Sequence, residues 1–209
     1  MVKVAYLGSV LATATLIASC SGSGTPTHPS VAAGGGTAKL SASSVAAQPT
    51  TPPISKTFTS ATYGYTLTLP AAWTPRPALD KWGGEEELDG TSVLADIFGQ
   101  PSESRGMFAV AAPWKRDLRS YEKFLIAFNA HYHGDYCPQR PNARRLVTVG
   151  GQPGVLLAYD CGILVNNVGT VHDGVGYIFV FVDRSVAAAT DPTDYATFQD
   201  VLRSVRFPA

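Results

Sequence analysis

Val175-Gly176-Tyr177-Ile178-Phe179-Val180-Phe181-Val182 sets the architecture of this chain. Side chains alternate across a strand, so Tyr177, Phe179 and Phe181 share one face while Ile178, Val180 and Val182 share the other. Both faces are apolar. A strand without a polar face has to be covered on both sides, which places it centrally in its sheet. Immediately upstream, His172-Asp173-Gly174 makes a tight hairpin connection, so the run Ile163–Val171 is the expected neighbour.

Working outward, the same punctuation repeats. Val155–Cys161 reads as a strand, Gly150-Gly151-Gln152-Pro153-Gly154 as a turn, and Arg145–Val149 as a short strand. Before them, Gly106–Ala111 and Thr91–Phe98 are expected strands. Tyr63-Gly64-Tyr65-Thr66-Leu67-Thr68-Leu69-Pro70 alternates large apolar with polar residues, a strand with one buried face that Pro70 stops. Trp73 caps the edge of the core. Lys81–Gly90, with Glu85-Glu86-Glu87 and Asp89, is polar and Gly-rich and reads as a solvated loop.

Two helices complete the domain. Asp117 caps the first, in which Leu118, Tyr121, Leu125, Phe128 and Tyr132 recur at steps of three and four, and Gly134 ends it. Asp191 caps the second, with Pro192 in its first turn and Tyr195, Phe198, Val201, Leu202 and Val205 turned inward. The fold class is therefore α+β: a largely antiparallel sheet with helices packed on it, over residues 56–209.

The N-terminus has a different chemistry. Met1-Val2-Lys3 precedes an uncharged, mostly apolar run from Val4 to Ile17, the pattern of a secretory signal peptide over residues 1–19. The run falls short of the ~20 apolar residues a spanning helix needs. Ile17-Ala18-Ser19-Cys20 resembles a bacterial lipobox, in which the cysteine thiol receives a diacylglyceryl group and becomes the new N-terminus. Two acyl chains, at ~0.8 kcal/mol per buried methylene, hold a protein at a membrane. An ordinary signal peptide cut nearby would leave Cys20 a free thiol. There is no twin-Arg pair, so general secretory export is the simpler route. Residues 20–55 follow as a lipidated cysteine and a disordered tether of Ser, Gly, Thr, Ala and Pro, with Lys39 as the only charge between Ser21 and Pro53. Such a segment spans about 30 Å root-mean-square. The expected location is the cell membrane, lipid-anchored, on the extracytoplasmic side.

Cysteine and charge arithmetic narrows the rest. With Cys20 lipidated, Cys137 and Cys161 remain, and two cysteines in an oxidising compartment most often pair; two buried thiols are the alternative. No Cys-x-x-Cys is present, so neither a redox centre nor a zinc ribbon is indicated. The 16 Lys and Arg balance the 16 Asp and Glu, which argues against nucleic acid as a partner.

At this point a resemblance emerges. Tyr63-Gly64-Tyr65 running to Leu69-Pro70 and Trp73 resembles the opening of the PsbP-like (Mog-type) domains. Val147-Thr148-Val149-Gly150-Gly151-Gln152-Pro153-Gly154 is similar to their mid-domain turn, and Phe198 to Phe207 to their closing helix and strand. The resemblance implies an α/β/α sandwich. It also implies a lipoprotein layout and a protein-binding role, as in photosystem subunits or regulators of a small GTPase. It carries no family-wide catalytic residue, and Cys137 and Cys161 match no general pattern of the family.

Few constellations point to chemistry. His131-Tyr132-His133-Gly134-Asp135 matches on paper the His-x-His-x-Asp start of the metallo-β-lactamase metal site, with His172 the one further imidazole in the domain. Two imidazoles two residues apart chelate one ion on an extended backbone, whereas on a helix they stand about 200° apart. The pair falls in the last turn of the expected helix, where histidines suit the terminal carbonyls. No Gly-x-Ser-x-Gly is present. Arg140, Arg144 and Arg145, with Trp82 and Trp114, are the candidate partner-facing residues, since Arg and aromatics are enriched at interfaces; solubility and core edge are their plainer roles. The expectation is a non-catalytic module binding an envelope protein or a small ligand, with no cofactor. A metal-dependent hydrolase using His131, His133, Asp135 and His172 is the runner-up, and a structural envelope protein the third reading.

Overall fold

The computed structural model describes residues 54–88, 92–99, 105–184 and 192–209. The expected signal peptide, Cys20 and the tether up to Pro53 lie outside the described residues, as do Asp89, Gly90, Thr91 and Asp191. In chain order the elements are β1 (Ile54–Thr59), β2 (Thr66–Pro70), β3 (Thr74–Arg76), β4 (Asp96–Gly99), β5 (Arg105–Pro113), α1 (Leu118–His133), β6 (Ala143–Val149), β7 (Gln152–Asp160), β8 (Leu164–His172), β9 (Val175–Asp183) and α2 (Pro192–Ser204). Seven strands pair antiparallel in the order β3-β4-β5-β9-β8-β7-β6, while β1 and β2 form a separate hairpin. β9 is thus the fourth strand of seven, where its two apolar faces require it to be.

Each face of β9 has its own cover. Tyr177, Phe179 and Phe181 meet the hairpin and α2: Tyr65 packs edge-on to Phe179 with centroids 5.6 Å apart, and Phe198 stacks on Phe181 at 5.1 Å. Trp73 stacks on the same Phe181. These rings are buried, each contributing roughly 1.5–3 kcal/mol by leaving water. α2 is tied to the hairpin by Ser204, whose Oγ accepts from Thr68 N at 2.9 Å, and by the bridge between Thr66 and Arg206. On the opposite face α1 lies across β7 and β8, with Tyr121 and Leu125 over Gly169, where a Cβ would stand 2.3 Å from Leu125 Cδ1. The layers are therefore helix, sheet, and hairpin with helix.

The turns follow from residue chemistry. Asp173 and Gly174 have φ of 46° and 77°, both positive, as a two-residue hairpin that preserves strand twist demands. Asp117 caps α1, its Oδ1 accepting from Ser120 N at 2.8 Å.

Several boundaries differ from the sequence reading. β1 begins at Ile54, two residues ahead of the expected domain start, and pairs with β2. The Tyr63–Pro70 run keeps its alternation, with Tyr65, Leu67 and Leu69 fully buried, but its ladder starts only at Thr66. Tyr63 instead sits in the turn, where its backbone N–H donates to Ser60 Oγ at 3.0 Å. The expected Thr91–Phe98 strand is shortened because Ser92 Oγ accepts from Leu94 N at 3.1 Å and turns the chain just before β4. The Gly150–Gly154 turn contracts to Gly150-Gly151, and β7 already starts at Gln152.

Candidate functional site

α1 does not seal the sheet face it covers. Between its C-terminal half and β5, β8 and β9 lies a cavity of about 190 Å³. Phe108, Leu125, Val165, Ile178 and Val180 make its walls apolar. Cys137 and Cys161 also line it, joined by a disulfide with Cα atoms 4.3 Å apart. That bond ties the segment after α1 to the turn between β7 and β8. Tyr136, 62% exposed, and the exposed Arg184 stand at the opening.

Asn129 gives the cavity its polar feature. The residue is only 1% exposed and occupies the buried stripe of α1 that begins with Tyr121 and Leu125. Its Oδ1 accepts from Asn167 Nδ2 at 3.4 Å, and its own Nδ2 donates to nothing in the protein. A buried donor without a partner costs about 1–3 kcal/mol, so its retention calls for a reason. Nearby, His133 pairs through Nδ1 with the Tyr136 hydroxyl. Burial pushes the His133 imidazole below its usual range, which favours its neutral form.

The histidine cluster is not assembled. His131 and His133 both lie in the last turn of α1, His131 exposed with its ring against Tyr132 and His133 turned to Tyr136. Helical geometry splays them, as the 100° step per residue requires. Asp135 is exposed in the turn that follows. His172 belongs to the far face of the sheet, stacked on Phe207 at 4.9 Å, and Phe207 in turn packs on Tyr177. Among the described residues no group of three or more His, Cys, Asp or Glu is placed to hold a metal ion.

The expected partner-facing residues also separate. Trp82 is not an exposed anchor: it is 2% exposed, packs on Phe124 and Phe128 of α1, and donates from Nε1 to Glu86 O at 2.9 Å. The acidic loop is latched the same way, since Tyr132 donates its hydroxyl proton to Glu85 O. Trp114 is half-buried against Tyr121 and Phe124. Arg144 and Arg145 are consecutive on β6 and therefore point to opposite sides of the sheet. Arg144 reaches α1, where Nη2 donates to Glu122 Oε2 at 2.8 Å; this hydrogen bond holds the Glu122 carboxyl below its usual range. Arg140 is exposed in the connection after α1. The arginines form no single patch.

No known family profile matches the sequence, and no curated protein matches it. Solved structures do. The solution structure of the cyanobacterial PsbP, CyanoP, from Synechocystis superposes with a TM-score of 0.52 at 10% identity, covering 73% of this chain and 92% of that one. The fold is PsbP-like. A Bacteroides thetaiotaomicron protein (TM-score 0.41, 12% identity, 69% and 45% covered) and a Pseudomonas aeruginosa protein of unknown function (0.37, 15%, 69% and 92%) are more distant. Among the described residues that line the cavity, Asn129 Nδ2 is the buried side-chain donor left without a partner. One sequence signal marks it: Asn129 falls at the step after Tyr121 and Leu125, a polar residue on an inward stripe.

Proposed function

We propose that this protein is a membrane-anchored lipoprotein of the extracytoplasmic face, and that its PsbP-like domain binds a ligand without transforming it, as Mog-type domains bind partners. Cys20 carries the acyl chains, the Ser/Gly/Thr/Pro/Ala segment holds the domain off the bilayer, and the cavity under α1 receives a small ligand. No helix among the described residues is long and apolar enough to cross a membrane, so attachment through Cys20 is the route this reading needs. The observation that carries the binding reading is the cavity itself, apolar-walled and open at Tyr136 and Arg184, with Asn129 Nδ2 unpartnered inside it. Pockets of this kind, apolar with few placed polar groups, are the usual form of a small-ligand site.

The test is equilibrium dialysis of the full chain against a library of small apolar and amphiphilic compounds, with and without chelator, read by mass spectrometry. Val180→Phe, which adds a ring to the cavity wall, serves as the comparison. Compounds retained unchanged, insensitive to chelator and lost on Val180→Phe support the reading. A compound recovered as a product, retention that requires a metal, or no retention at all overturns it.

A further inference from the structure

The carboxamide of Asn129 restricts what the cavity can hold. Its Oδ1 already accepts from Asn167 Nδ2 whereas Nδ2 donates to nothing, so the unmet demand of the side chain is donation from Nδ2. Leu125, Ile178 and Val180 around it are apolar, and the cationic side chain among the lining residues, Arg184, is exposed at the opening. A charged group placed deep among such walls would lose its hydration without compensation, whereas a neutral oxygen acceptor satisfies the orphaned donor. Size adds a second limit. An aliphatic cavity of about 150 Å³ takes the six carbons of benzene, so one of about 190 Å³ encloses roughly eight non-hydrogen atoms, with room for one or two more at its open mouth.

We infer that the cavity binds an uncharged, largely apolar molecule of roughly eight to ten non-hydrogen atoms whose single carbonyl-type oxygen accepts from Asn129 Nδ2. This rests on the binding reading above and names the class of ligand for it.

Acetophenone and α-methylstyrene are matched probes, nearly identical in shape, the second having a methylene where the first has its carbonyl oxygen. Their dissociation constants are measured on the full chain with Cys20→Ser in detergent-free buffer, and again with Asn129→Leu added. That second substitution replaces the buried amide with an apolar side chain of similar size and takes the partner from Asn167 Nδ2, so Asn167→Val is introduced with it to keep a freed donor out of the cavity. Acetophenone should weaken about tenfold in the variant while α-methylstyrene holds or tightens, so the ratio of the two constants moves by about tenfold or more. The carbonyl stretch of bound acetophenone gives an independent readout: lowered in frequency on the native cavity, and restored in the variant. A ratio and a stretch that the variant leaves unmoved overturn the ligand class while the cavity stands as a site. Failure of both probes to bind the native cavity overturns the site with it.

Discussion

Gly176 lies beneath the phenol ring of Tyr121: a Cβ at that position would stand 2.6 Å from both Cε2 and Cζ of the ring. The close approach is what lets α1 settle onto the sheet face of β9. Gly176→Ala should therefore cost about 1–3 kcal/mol by overpacking, measured as a lower denaturant midpoint at unchanged slope. Tyr121→Leu in the same chain should recover part of that loss, since the two changes share one contact. Additive losses would show that the ring is not what Gly176 accommodates.

The Tyr121 hydroxyl has no hydrogen-bond partner although the residue is 2% exposed. Removing an unsatisfied buried hydroxyl leaves nothing uncompensated. Tyr121→Phe should leave stability unchanged or raise it by up to about 1 kcal/mol, and thermal unfolding of the two chains side by side decides the point. A clear loss would mean the hydroxyl has a partner in solution.

Three buried phenols make the fold sensitive to base. Burial pushes Tyr159 up to about 12, and Tyr65 and Tyr121 well above their usual value. In the unfolded chain a tyrosine loses its proton near pH 10, as in peptides. Between there and the folded value the native state holds more protons than the unfolded one, so stability falls as pH rises. Stability contributed by these phenols is complete below about pH 10 and, for Tyr159, gone above about 12. Phenolate absorbance should rise with loss of secondary structure in that window, rather than near pH 10 with the fold intact.

The Cys137–Cys161 disulfide closes a sequence separation of 24 residues. In the chain-entropy view such a loop contributes about 3 kcal/mol, so reduction should lower Tm by roughly 6–12 °C in a domain of this size. Thiol counting on the unfolded, unreduced domain checks the bond directly: neither cysteine should react. Two reactive thiols would refute the pairing.

Cys20→Ser tests the anchor. The variant should lose acyl labelling and appear outside the membrane fraction, with the unfolding transition of the domain unaltered. A variant that stays labelled and membrane-bound would show that Cys20 is not the lipidated residue.

What the sequence made legible was whatever depends on short-range periodicity. The alternation along Val175–Val182 located the central strand, Asp173-Gly174 its hairpin, and Asp117 the start of α1. Residues whose setting depends on distant partners were harder. Trp82 reads as a loop aromatic until Phe124 and Phe128 of α1 close over it. Arg144 and Arg145 read as a patch until the pleat of β6 sends them apart. Tyr63 reads as the start of a strand until Ser60 draws it into a turn. The cavity gathers residues from α1, β5, β8, β9 and the disulfide, separated by as much as half the domain, and no local pattern announces such a meeting. Only Asn129, a polar residue on an inward helical stripe, carried a local trace of it.

Among the described residues β9 is the last strand in sequence and the middle one in the sheet, bonded to β5 on one side and β8 on the other. Until residues 175–183 arrive, β3 to β5 and β6 to β8 are two separate meanders with no shared ladder. A chain made N-terminus first has delivered most of its length before the sheet can join. The strand that joins the two halves of the sheet is thus made after both of them, and neither half is a complete sheet without it.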